Sequence, residues 1–203
     1  MKLYSKPGAC STSGHIALQW TGEAFDVELM TPTTLKAAAF LAVNPAGSVP
    51  ALVDGDFSLS QNAAIMGYIA DRFPAAGLGG DGSAQQRGEA TRWLAFINAD
   101  LHPAFVPLFN PGAFHADGSQ HDGIRQAART HLRGLFERAD AQLAGKAWLA
   151  GFRSFADPYL YITLRWAATH GVDLGGLAHL AAFKQRMEAD SGVQAALRSE
   201  GLG

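Results

Sequence analysis

The residues able to do chemistry in this sequence are few, and the first is a lone thiol. Cys10 follows Lys2 to Lys6, a short strand-like run broken by Pro7-Gly8, and opens Cys10-Ser11-Thr12-Ser13, a cluster of helix N-cap residue types. A thiol placed there meets the positive end of a helix macrodipole and unpaired backbone N–H groups, both of which favour thiolate over thiol. Ser11 and Ser13 would add hydroxyl donors. The competing reading is a cysteine buried as a small hydrophobe, against which Gly8, Ser11 and Thr12 describe a polar turn. With no second cysteine, an internal disulfide, a dithiol cycle and any zinc site built from several thiolates are excluded. A mixed disulfide with a small external thiol is not.

Two further positions invite a ligand. Val49-Pro50 enters a strand just before a hairpin, where a cis bond would turn the Val49 backbone outward as a docking edge for a peptide. The residue types alone leave cis and trans open. Gln61-Asn62 opens the helix that carries Ile65, where backbone N–H groups helped by side-chain amides would bind a carboxylate. An ordinary N-cap supplied by Ser60 or Asn62 is the other reading.

The elements that must position these groups follow from spacing. Lys2 to Lys6 and Phe25 to Met30 read as strands flanking a helix in which Ile16 and Trp20 share a face and Gly22 ends the run. An Ala-rich helix over Leu35 to Val43 stops at Asn44-Pro45-Ala46-Gly47. Val49 to Val53 and Phe57 to Ser60 flank Asp54-Gly55-Asp56, a hairpin, and Ile65, Ile69 and Phe73 stripe the next helix. A strand-helix-strand unit implies a parallel pair and the hairpin adds antiparallel strands, so residues 1–77 should form an α/β domain on a mixed four-stranded sheet. Pro74 to Ser83, with five glycines or prolines, reads as a linker. Beyond it the apolar spacing is helical throughout: Trp93, Ile97, Leu101; Ile124, Ala128, Leu132, Leu135, Ala139; Leu160, Leu164, Ala168; then shorter runs over Leu177 to Ala189 and Val193 to Arg198. Residues 84–203 should be an all-α helical bundle packed beside the first domain.

Composition narrows the partners. Lys+Arg 16 against Asp+Glu 18 gives a net charge of -2 and no basic footprint, so nucleic acid is not expected. No apolar run approaches the roughly 18 residues that span a bilayer, and no hydrophobic stretch follows Lys2, so a soluble, cytoplasmic protein is expected, with no membrane partner. One cysteine fits a reducing compartment. No metal and no permanently bound cofactor is expected.

Taken together, the turn at Cys10, Asn44-Pro45-Ala46-Gly47-Ser48-Val49-Pro50-Ala51-Leu52, Gln61-Asn62-Ala63-Ala64-Ile65 and Ser154-Phe155-Ala156-Asp157 resemble a cytosolic glutathione transferase along essentially the whole chain. Met1-Lys2-Leu3-Tyr4, Pro7-Gly8-Ala9-Cys10-Ser11 and His15-Ile16 resemble the bacterial beta class in particular. That resemblance implies a thioredoxin-like first domain that binds glutathione as co-substrate, a helical second domain that holds a small hydrophobic electrophile, and a homodimer engaged in detoxification. It implies that Cys10, Ser11 and His102 serve catalysis, His102 lying beside the sulfur. Cys10, Val49, a cis Pro50, Gln61, Asn62 and Lys36 would contact glutathione, and Phe105, Phe109, Phe114 and Trp166 the electrophile. Pro103 stands where the class commonly has lysine, which should kink the helix and remove a cation; Thr33-Thr34 occupies much of the region of another expected basic residue, for which Lys36 is the candidate substitute. Weaker glutathione binding than in the class generally is therefore expected. Two capping schemes remain open, Ser154 with Asp157 as a box, or Asp157 as N-cap with Pro158 first in the helix. The rival functions are a glutathione-dependent thiol-disulfide oxidoreductase using Cys10 and a non-catalytic ligand-binding or regulatory protein of the same fold.

Overall fold

Period-two alternation buries Leu3 and Ser5 in β1 (Lys2–Ser5). In the computed structural model, which describes residues 1–203, β1 pairs in parallel with β2 (Asp26–Leu29) and antiparallel with β3 (Ala51–Asp54), and β3 pairs antiparallel with β4 (Phe57–Ser60). The order is β2-β1-β3-β4, with Leu3 in register with Val27 on one side and Leu52 on the other. This is the mixed four-stranded sheet expected from the strand order. Helices α1 (Ser11–Thr21), α2 (Ala38–Val43) and α3 (Asn62–Arg72) complete the first half. Gly22 ends α1 in the left-handed conformation, φ 74°, and its N–H returns to Gln19.

The helix expected over Leu35 to Val43 is divided. A single tight turn at Thr34–Lys36 precedes an extended Ala37, and α2 starts after it. Thr31 and Thr34 open that tight turn by exchanging hydroxyl-to-N–H bonds of 2.8 and 3.2 Å, in the manner of a capping box, and the interruption itself is the extended Ala37, φ -70° and ψ 140°.

The second half is helical throughout: α4 (Ala84–Phe96), α5 (Val106–Phe109), α6 (His121–Leu143), α7 (Ala156–Thr169), α8 (Ala178–Ala189) and α9 (Ser191–Ser199). The expected kink at Pro103 is present and has a definite form. Proline has no N–H and its ring crowds the carbonyl four residues back, so α4 passes into a π turn at Ile97–Leu101, with His102 N–H bonded to Ile97 O at 2.8 Å, and then a 3₁₀ turn at Pro103–Phe105. The α7 start resolves as the Ser154 box. Asp157 accepts from Ser154 N (2.7 Å), Ser154 Oγ (2.9 Å) and Leu149 N (3.0 Å), while Ser154 Oγ takes Ala156 N.

Two expectations need correction. Pro74 to Ser83 is no free spacer, because Leu78 is fully buried and its carbonyl accepts from Phe155 N at 3.0 Å. Nor does the bundle merely sit beside the sheet. One apolar core runs from Leu3, Ile16 and Ile65 to Tyr161, Phe183 and Val193, with α1 buried in its middle.

The chain end locks that arrangement. Glu200, just past α9 and 4% exposed, puts its carboxylate under the turn that carries Cys10. It accepts from Ser5 Oγ (2.7 Å), Thr12 Oγ1 (2.6 Å) and Gly8 N (3.3 Å), and it meets His15 Nδ1 at 3.0 Å. Glu200→Ala strands four polar partners in the core and should cost about 3 kcal/mol or more, read as a lowered midpoint in urea unfolding. A loss under about 1 kcal/mol would show that water replaces the carboxylate.

Candidate active site

The turn after β1 delivers Cys10 half-buried at the start of α1, with its Sγ 3.9 Å from the Val49 carbonyl. The N–H groups of the helix start pull the thiol toward ionisation, but burial outweighs them and pushes it up to about 11. The expected thiolate is thus not what this turn favours. The expected polar turn is likewise corrected: Ser11, Thr12 and Ser13 are completely buried. Ser11 Oγ is engaged by Ser5 Oγ and Lys6 N, both at 3.0 Å, and Ser13 Oγ donates to Cys10 O at 2.6 Å. Ser11 therefore buttresses the turn from below and reaches neither cavity described next.

Two cavities meet at Cys10 and His102. The first, of about 330 Å³, is walled by Val49-Pro50, Gln61-Asn62, Asn98 and Tyr159, among others. The Val49–Pro50 bond is cis. Gln61 is the one non-glycine residue with positive φ, at 72°, a conformation that costs on the order of 1–3 kcal/mol, and it stands at the start of α3, where it and Asn62 line the cavity. Neither Ser60 nor Asn62 caps α3, so the ordinary N-cap reading fails here. Asn62 instead donates to Ser13 Oγ at 3.0 Å, tying α3 to α1 beneath Cys10. Lys36 is exposed on its turn and lines neither cavity; no lysine or arginine lines the first.

The second cavity, of about 440 Å³, is walled by Phe109, Trp166 and His170, with Lys6 at its edge. Trp166 is fixed by Nε1 donating to Gly8 O at 2.7 Å, and Phe109 packs edge-on against it at 5.4 Å between centroids. Two expected members of this wall belong elsewhere. Phe105 is fully buried behind it, 5.4 Å from the Trp166 ring, because the 3₁₀ turn after Pro103 directs it inward. Phe114 is exposed and lines a separate groove with Pro107, Ile124 and His131.

His102, at the end of the π turn, lines both cavities, and burial lowers its pKa from the ordinary histidine value. Its Nδ1 is hydrogen-bonded to the Tyr159 hydroxyl. Tyr159 and Asn98 escaped the sequence reading, since Tyr159-Leu160-Tyr161-Ile162 looks like plain core. The available signal was the phenol itself, which needs a polar partner once buried.

Comparison with known proteins places this geometry. Residues 1–71 match the family glutathione S-transferase, N-terminal domain, and residues 96–190 match glutathione S-transferase, C-terminal domain. The chain belongs to the glutathione S-transferase family. It is 53% identical over 203 residues to glutathione S-transferase GST-4.5 of Xanthomonas campestris pv. campestris, covering 100% of both chains. Among solved structures, a glutathione-S-transferase from Xylella fastidiosa superposes with a TM-score of 0.96 at 52% identity, covering 100% of this chain and 99% of that one. A bacterial beta class transferase of Sphingomonas chungbukensis superposes at 0.88 with 40% identity over 100% of both. The beta-class resemblance and the glutathione transferase fold are thereby supported. No helix is long and apolar enough to cross a membrane, and no three His, Cys, Asp or Glu side chains converge as a metal site.

For this transferase, alkylation of Cys10 by iodoacetamide should be slow at neutral pH and accelerate toward about 11. Mass-spectrometric rates across pH check this, and a plateau reached near neutrality would contradict it.

Proposed function

We propose that this chain is a glutathione transferase that joins the glutathione sulfur to a small hydrophobic electrophile, and that the two cavities divide the substrates. The observation that carries the reading is that both cavities open onto Cys10 and His102. Glutathione occupies the first: its γ-glutamyl end meets Gln61, Asn62 and the start of α3, where N–H groups favour a carboxylate, and its cysteinyl backbone pairs with Val49 ahead of Pro50. The sulfur then lies between Cys10 and His102. The electrophile packs on Phe109 and Trp166. The glutathione thiolate attacks it, a carbon–sulfur bond forms, and a leaving group such as chloride departs with the electron pair. Orientation supplies much of the rate, and Cys10 itself forms no bond in this cycle. A homodimer, a cytoplasmic location and a detoxifying role belong to the same proposal.

Replacing Cys10 by Ala tests it. Conjugation of a chlorinated nitroaromatic should stay within about tenfold of the parent, since only one weak contact to the sulfur is lost. Abolished conjugation together with lost reduction of a glutathionyl mixed disulfide would instead assign the chemistry to Cys10, and retention on immobilised glutathione without turnover across an electrophile panel would point to a binding protein.

Because no lysine or arginine lines the first cavity, glutathione should bind weakly and with little dependence on salt. Titration calorimetry reads both, and a dissociation constant in the low micromolar range overturns the expectation.

A further inference from the structure

The two ring nitrogens of His102 have different surroundings. Nδ1 is bonded to the Tyr159 hydroxyl, whereas Nε2 has no partner within the protein. The one completely buried side-chain nitrogen or oxygen lacking a partner is Trp93 Nε1, so Nε2 of His102 faces open space, and the open space beside this ring is the shared cleft. A neutral imidazole carries one proton. The direction of a single hydrogen bond therefore decides what His102 offers. If the Tyr159 O–H donates to Nδ1, the proton sits on Nε2 and the cleft sees a donor. If Nδ1–H donates to the Tyr159 oxygen, the cleft sees a lone pair, a base.

The surroundings select the first arrangement. The other acceptor for the Tyr159 O–H is Asn98 Oδ1, 3.5 Å away and at the limit of a hydrogen bond, whereas Nδ1 is far closer. Tyr159 has no exposed surface, so water does not compete. Burial keeps the phenol un-ionised and the imidazole neutral. No carboxylate stands by to hold an imidazolium: the groups facing His102 are the Trp166 ring, 4.8 Å between centroids, the Tyr159 ring and Cys10, and Lys6 is the one formally charged side chain on either cavity wall.

We propose that Tyr159 is a positioning residue whose O–H donates to Nδ1 of His102 and fixes the Nε2–H tautomer, so that His102 meets a sulfur in the cleft as a hydrogen-bond donor and not as a base. That the sulfur is glutathione's rests on the function proposed above; the tautomer does not. The thiol proton of glutathione then leaves to solvent water, and the Nε2–H holds the thiolate that remains until it attacks.

Protein carrying isotope-labelled histidine, free of glutathione and at mildly alkaline pH, reports both nitrogens in long-range proton–nitrogen correlation spectra. A protonated Nε2 and a bare, hydrogen-bonded Nδ1 are expected for His102, and a protonated Nδ1 overturns the proposal whatever the cleft binds. In Tyr159→Phe the Nδ1 signal should shift and the second tautomer appear; an unchanged spectrum removes Tyr159 from the role. Should that variant not fold, two others decide. His102→Gln keeps an N–H donor and has no base, so its kcat/KM should exceed that of His102→Leu by about tenfold, and equal losses overturn the donor role. A protein with the expected spectra that fails to bind glutathione in calorimetry would defeat the proposed function and leave the tautomer assignment standing.

Discussion

The structure turns on a carboxylate with no access to water. Glu200 sits in the core beneath the Cys10 turn, and a buried carboxylate without partners costs several kcal/mol. The hydroxyls of Ser5 and Thr12 are equally buried and face the mirror-image problem. Each group is tolerated only because the others are present, and together they join residue 5 to residue 200. The turn that carries the thiol is therefore complete only once the last helix has docked. Trp166 Nε1 on the Gly8 carbonyl makes the same demand from the other side. A sheet that looks autonomous in sequence is thus finished by the tail of the chain, which is why the apolar core is continuous across both halves.

That dependence explains how far the sequence could be read. The strands, α1, α3 and the helical second half are legible because each is set by local periodicity and by Gly or Pro punctuation: Leu3 alternates, Ile65 and Ile69 recur at one helical turn, Gly22 terminates. The division before α2 is less legible, since it rests on one extended residue, Ala37, whose residue type is that of a helix former. Pro103 announced a kink but not its form; a π turn followed by 3₁₀ depends on what the surrounding helices accommodate.

The site was legible in outline and wrong in its electrostatics. Ser11, Thr12 and Ser13 are polar and look solvated, yet Ser11 is held by Ser5 and Lys6, Thr12 by Glu200, and Ser13 by Asn62 and the Cys10 carbonyl, partners distant in sequence or reached through a turn. Polarity in the sequence shows that a group needs a hydrogen bond; it does not show whether water or protein supplies it. The same gap misplaced Phe105 and Phe114, because an aromatic residue near a bend faces the cleft, the core or another groove according to a backbone rotation that composition does not encode. Tyr159 is the converse case, a residue the sequence reading passed over, which is buried with the core and whose hydroxyl meets His102.

What remains is a cleft with almost no formal charge. Its thiol stays protonated, its histidine neutral, its first cavity free of lysine and arginine. Under the proposed function, a thiolate formed there is held by neutral dipoles, the N–H groups at the start of α1 and the Nε2–H of His102. Fixed dipoles in a half-buried cleft need little reorganisation when charge appears, and they stabilise a compact sulfur anion without binding glutathione's two carboxylates strongly. Stabilisation of the attacking atom is thereby separated from retention of the rest of the molecule. Such a division raises reactivity without deepening the ground-state well, since only interactions that strengthen toward the transition state accelerate the chemical step.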